Sequence, residues 1–228
     1  IVGQIASPLP NNEEYSAYDL IVSSLPNLVS HFRGLGLKCV ANSLAFEHTV
    51  LDRLPDEEPT IPVVFVGTLS KHHASRTALL EHLCNHVDIE IWGEGVKDLP
   101  NDSSVRSRYK GPSWGIDMYR LLRKSRIAIN QHIDIAGNYA NNCRLYEATG
   151  VGTMLITDRK SNLSDIFEPG KEVAAYGNHE ECVELIEHFL RNEEDRVSIA
   201  RAGRERTLRD HTYRDKMLEL KVLFENYL

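Results

Sequence analysis

Apolar residues along this chain fall into short blocks of two kinds. Compact apolar runs read as buried strands at 1–7, 18–23, 37–41, 62–67, 88–92, 126–130, 152–157 and 172–176, with a further strand expected at 106–110. Between them the apolar positions recur at helical spacing. Pro26 opens a short helix that Gly34 and Gly36 close. Longer helices are expected at 72–85, 116–124, 138–149, 179–191, 193–207 and 212–228, with a helical turn at 163–167. The run Pro62-Val63-Val64-Phe65-Val66-Gly67 is apolar at nearly every position, as a strand covered on both faces requires. Strands alternating with helices mean βαβ units, so the expected fold class is α/β, a Rossmann-like parallel sheet over about 60–177 with helices on both faces.

The segment 52–62 is acidic and contains Pro55, Pro59 and Pro62, which makes it the best linker candidate. It divides the chain into 1–56, 57–211 and a last helix, 212–228. The first residue is Ile1, inside an apolar run, and the chain is accordingly read as a piece of a longer protein.

Composition narrows the possibilities. The chain has 228 residues, 42% hydrophobic and 26% charged, with a net charge of -7, which argues against nucleic acid as the partner. No run has the roughly 18 apolar residues of a membrane span, and 1–7 lacks the basic start of a signal peptide. Cys39, Cys84, Cys143 and Cys182 are far apart and form no metal-binding spacing, so buried thiols in a reducing cytoplasm are expected. No metal is expected to be required, because no His, Cys or carboxylate cluster has ligand spacing.

Open parallel sheets bind ligands beyond the carboxyl ends of their strands, so those loops are the places to search. Gly67, Thr68 and Ser70 follow the apolar strand and suit either an anion-binding turn or an ordinary βα turn. Gly93 and Gly95, after Trp92, allow a ligand to approach closely, or make a tight turn under a packed tryptophan. Tyr109, Gly111, Ser113 and Trp114 suit a flat nucleobase, or a rigid loop with an N-cap at Ser113. The densest polar group lies at 130–150. A helix starting near Asn138 would aim its N–H groups into the crevice, with Tyr139, Asn141, Arg144 and Glu147 beside it. That arrangement suits a diphosphate, with Glu147 accepting bonds from adjacent sugar hydroxyls. A solvated helix face with an Arg144–Glu147 pair fits the same spacing.

The run Asn141-Asn142-Cys143-Arg144-Leu145-Tyr146-Glu147-Ala148-Thr149-Gly150, continuing to Asp158, resembles the donor-site segment of GT-B glycosyltransferases. Asp165-Ile166-Phe167-Glu168-Pro169-Gly170-Lys171-Glu172-Val173 resembles the block that follows it. The nearest subgroup in pattern is the CgeB-like one, named for a spore-maturation protein, and the resemblance covers about 60–215. It implies the C-terminal, nucleotide-sugar-binding half of a two-domain transferase, with residues 1–56 as a remnant of the acceptor-side domain. The partner implied is a nucleotide-diphospho-sugar, a substrate rather than a cofactor, and the acceptor is unknown. It also implies that Glu147 holds the ribose hydroxyls. Many members carry two glutamates spaced E-x7-E. Glu147 matches the second, but the first falls at Tyr139. That departure leaves the catalytic group open, with His132 and Asp134 as substitutes. A non-catalytic structural module and a nucleotide-sugar epimerase are the competing readings.

Overall fold

The computed structural model describes residues 1–6, 9, 14–69 and 74–227. The chain begins with a small parallel sheet in the order β1-β2-β3, formed by β1 (Val2–Gln4), β2 (Leu20–Ser23) and β3 (Cys39–Ala41). Helix α1 (Pro26–Gly34) crosses between β2 and β3, opened by proline at its first turn. It buries Leu28, Val29 and Phe32 against Ile21 and Cys39.

The larger sheet is built from β4 (Ile61–Val66), β5 (Ile89–Trp92), β6 (Tyr109–Gly111), β7 (Ser125–Asn130), β8 (Met154–Asp158) and β9 (Ala174–Tyr176). All neighbours are parallel and the order is β6-β5-β4-β7-β8-β9. The expected α/β sheet is therefore present. Its most apolar strand, β4, sits in the middle, as an all-apolar strand should.

Successive residues of β4 point to opposite faces. Val63 and Phe65 pack with α2 (Ala74–His86), α7 (His179–Arg191) and α8 (Glu193–Asp210). Val64 and Val66 pack with α4 (Gly115–Arg123), α5 (Cys143–Val151) and α6 (Leu163–Ile166). Both cores are close-packed apolar layers of aliphatic and aromatic side chains, which hold the sheet rigid beneath the loops at its carboxyl edge. The last helix, α9 (Tyr213–Tyr227), lays Leu220, Leu223 and Phe224 on Leu20, Val22 and Val40 of the small sheet.

Three expectations need correction. The stretch 106–110 is not a strand: α3 (Ser104–Arg108) buries Val105, and the strand β6 starts only at Tyr109. The alternation of Val105, Ser107 and Tyr109 imitates a strand, but one helical turn over Glu81 fixes the segment, through Ser103 Oγ to Glu81 Oε1 and Ser104 Oγ to Glu81 O. The helix expected from Asn138 starts five residues later, at Cys143. Of the four cysteines, Cys143 is exposed because it occupies that first helical position; the other three are buried.

Candidate functional site

In the order β6-β5-β4-β7-β8-β9 the strand sequence reverses between β4 and β7, and a crevice opens above their carboxyl ends at such a switch point. Three loops are laced together on one side of it. Gly67 N donates to Trp92 O (2.9 Å), Leu69 N to Glu94 O (2.6 Å) and Gly93 N to Gly111 O (2.9 Å). A Cβ on Gly93 would lie 1.9 Å from the Gly67 carbonyl oxygen, and one on Gly95 1.8 Å from that of Leu69. These glycines therefore serve the close approach of neighbouring backbone. Gly67 and Leu69 have also committed their N–H groups, so an anion has less to bind here than the turn alone suggests. Thr68 is exposed, and Ser70 lies outside the described residues.

On the far side of this lacing, Tyr109 donates its hydroxyl to Gly93 O (2.7 Å) and belongs to the scaffold. Gly111 supplies the carbonyl that Gly93 uses. Ser113 is not the cap expected of it: α4 starts at Gly115 with Trp114 in the cap position and no side-chain cap. Trp114 is 61% exposed, a large aromatic surface beside an uncapped helix end.

Asn138 closes a turn, and 139–142 lead without helix into α5, with Asn142 in an extended conformation. Asn138 O accepts from Ser161 N (3.0 Å) and Ser161 Oγ (2.7 Å). Ala140 exchanges bonds with the side chain of Asn162. Asn141 is buried, donates to Ser24 O and accepts from the Tyr146 hydroxyl, so it ties the two sheets together. Tyr139 is half-buried. Asn142 caps α5 by accepting from Leu145 N (3.2 Å), and its own amide donates to Asn130 Oδ1 (2.9 Å) at the end of β7. These bonds reach across the fold, which is why the helix cannot start at Asn138.

The shift changes the electrostatics of the two charged residues. Arg144 lies in the first turn of α5, where the helix dipole disfavours a cation, and Glu147 is one turn further in. Arg144 Nη1 pairs with Glu147 Oε2 at 3.0 Å, with side chains 13% and 15% exposed. The guanidinium also lies against Met118 Sδ of α4. Burial pushes the Glu147 carboxyl above its ordinary value, and Arg144 opposes that shift.

Two groups bring in residues that the pattern of the chain did not single out, Arg76 in the first and Asp158 and Lys160 in the second. Arg76 of α2 is buried and bridges the lips of the crevice, donating to Thr68 O and Gln131 O, each at 3.0 Å. Its guanidinium sits 5.7 Å from the centre of the Phe65 ring, and among the described residues its Nε has no partner and no carboxylate pairs with it. Burial lowers its pKa, with Asp158 the largest opposing charge. The second group is His132, Asp158 and Lys160. His132 N and Nδ1 reach Asp158 Oδ1 at 3.0 and 2.6 Å, and Lys160 Nζ lies 3.2 Å from Asp158 Oδ2. Lys160 also donates to Gly137 O (2.8 Å). Asp134 stays exposed and accepts from Ser75 Oγ (3.0 Å). Asp158 was findable by the same rule as the others, since it is the polar residue that ends β8.

Burial alone would raise the Asp158 carboxyl, but the His132 hydrogen bond and the Lys160 charge outweigh it and hold it below the usual range. A lowered carboxyl stabilises the fold above its unfolded value and loses that contribution as pH falls through the folded one. Asp158→Asn should therefore flatten the acid limb of a plot of stability against pH, below about pH 4. Denaturant titrations at pH 3 to 7 read this directly, and an unchanged acid limb contradicts the pairing.

The parallel sheet with helices on both faces is a Rossmann-like domain, and its switch point, the capped α5 end and the cations around it make the candidate site. The glycosyl transferase-like family profile matches residues 75–221, more than half of the chain, and the chain belongs to that family. No curated protein sequence matches the chain. Among solved structures it is similar to sucrose-phosphate synthase of Thermosynechococcus elongatus, with TM-score 0.67 and 12% identity over 92% of this chain and 58% of that one. HepE of Anabaena in complex with UDP-glucose gives TM-score 0.71 and 11% identity over 92% of this chain and 64% of HepE. TarM of S. aureus, in complex with UDP and other ligands, gives 0.68 and 13% over 92% of this chain and 44% of TarM. The chain thus spans under two thirds of each of these proteins, and its fold is that of the GT-B glycosyltransferases. Among the described residues, no helix is long and apolar enough to cross a membrane.

Proposed function

We propose that the chain is the donor half of a cytoplasmic glycosyltransferase of the CgeB-like type, binding a nucleotide-diphospho-sugar for hexosyl transfer to an acceptor. The observation that carries this reading is Arg144, a cation kept in the first turn of α5 against the helix dipole, with Glu147 one turn behind it. An anion at that helix end turns an electrostatic penalty into an attraction, because the N-terminal N–H groups and Arg144 then bind the same charge. Arg76, without a carboxylate partner, adds a second cation on the other lip. Glu147 would hold the ribose hydroxyls, and the exposed face of Trp114 the base.

In this reading the diphosphate leaves with the electrons of the anomeric C–O bond. Arg76, Arg144 and the α5 N–H groups stabilise the developing charge, and no metal is required. The small sheet and α9 belong to the acceptor-side domain, with 57–211 as the donor domain. The packing of α9 on the small sheet supports that division. The chain by itself should not turn over, because its small sheet of three strands is too little to form an acceptor site.

UDP is the first ligand to try, because HepE and TarM have been crystallised with it. Calorimetric titration with UDP, GDP, ADP and TDP, each with and without EDTA, tests the reading. Binding of one of them, unaffected by EDTA, is the expected result. If none binds, the reading fails and a structural module replaces it. Binding that needs magnesium or manganese would refute the metal-free part alone.

A further inference from the structure

Beside the crevice, a cleft of about 490 Å³ opens over the carboxyl ends of β7, β8 and β9, lined in part by Gln131, Asp158, Lys160, Tyr176 and Asn178. Asp158 and Lys160 line it, with His132 behind Asp158, and the nucleotide reading leaves all three unused. The three side chains are 1%, 14% and 16% exposed. A carboxylate offers about four lone-pair sites, and an ammonium three N–H donors. Asp158 Oδ1 accepts from His132 N, His132 Nδ1 and Thr157 Oγ1, whereas Oδ2 faces Lys160 Nζ. Lys160 uses one donor on Asp158 and one on Gly137 O. Oδ2 therefore keeps one lone pair and Lys160 one N–H, adjacent and of opposite kind. Gln131 Oε1 is a further acceptor there with no partner.

We propose that this pair reads two neighbouring hydroxyls of the transferred sugar. A vicinal diol meets it with matched chemistry: one hydroxyl donates to Asp158 Oδ2 while the other accepts from Lys160 Nζ. His132 is the positioning residue. Its Nδ1 and backbone N–H both hold Asp158 Oδ1, so the carboxylate cannot rotate and its free lone pair keeps one direction. The assignment rests on the nucleotide-sugar reading, and it takes the cleft as the sugar's place next to the diphosphate site.

The test is the ratio of dissociation constants for a nucleotide-sugar and for its nucleoside diphosphate. It is measured by calorimetry with UDP, UDP-glucose, UDP-N-acetylglucosamine, GDP and GDP-mannose. Asp158→Asn, Lys160→Met and His132→Asn should each raise that ratio about tenfold or more, the cost of losing one hydrogen bond to a charged group. A purely structural defect moves both constants together and leaves the ratio where it was, which would overturn the proposal. Parent protein that binds none of the five overturns the nucleotide reading and this inference with it. Should the variants not fold, saturation-transfer NMR on the unaltered protein with whichever nucleotide-sugar binds decides the matter. Hexose ring protons saturated as strongly as the ribose support the subsite, and hexose protons left unsaturated refute it.

Discussion

Glu147→Ala is expected to weaken nucleoside diphosphate binding by about tenfold or more, the effect of removing an acceptor for two hydroxyl donors at 1.5–3 kcal/mol each. The carboxylate is largely buried beside Arg144 and Met118, so water cannot substitute for it at full strength. Its loss also frees Arg144 from the carboxylate it pairs with, which leaves that cation more available to a diphosphate and partly offsets the damage. A 2′,3′-dideoxynucleotide separates the two effects. It should bind the parent more weakly than the normal nucleotide, and bind the variant about as well as the normal nucleotide does. Burial raises the Glu147 carboxyl, so the parent should lose affinity as pH falls through that raised value, while the variant should not. Equal affinity of parent and variant for the normal nucleotide would reduce Glu147 to a structural partner of Arg144.

Gly93→Ala should carry a large cost in stability, as should Gly95→Ala, whose Cβ would lie 1.8 Å from the Leu69 carbonyl oxygen. Gly93 sits at φ +140°, where an L side chain is strained, and its Cβ would lie 1.9 Å from a backbone oxygen that cannot rotate away. Strain of that kind costs about 1–3 kcal/mol and overpacking another 1–3 kcal/mol. The lacing of the three loops must open to relieve it, so Gly67, Leu69 and Gly111 lose their partners together. Chemical denaturation should show a loss of about 3 kcal/mol or more, and nucleotide binding should weaken with it. A Gly34→Ala variant, at a helix end where a Cβ meets nothing within 4 Å, is the control and should stay within about 0.5 kcal/mol.

The parts of the fold that were legible in the sequence are those decided locally. The run around Val63 and Phe65 could only be a strand covered on both faces, and β4 lies at the sheet centre. Pro26 and Gly34 bracket α1 by backbone preference alone. The parts that were missed are those decided at long range. Nothing in Asn138-Tyr139-Ala140-Asn141 forbids a helix; Ser161, Asn162 and Ser24 forbid it by claiming those backbone and side-chain groups. The same applies to Gly93, whose requirement is a carbonyl oxygen some 26 residues earlier in the chain. Arg76 reads as an ordinary polar position of α2, and only the meeting of two loops over it shows a buried cation. The pairing of Arg144 with Glu147 followed from their spacing, but their place at the start of α5 did not.

The central claim is that the carboxyl edge between β4 and β7 holds a nucleotide donor with its diphosphate at the start of α5. A crystal structure of the chain with the nucleoside diphosphate that binds tightest tests it most directly. The account predicts phosphate oxygens within hydrogen-bonding distance of Arg144 and the first N–H groups of α5, with the ribose on Glu147. A nucleotide seated anywhere else on the protein, with Arg144 still paired only to Glu147, would contradict it.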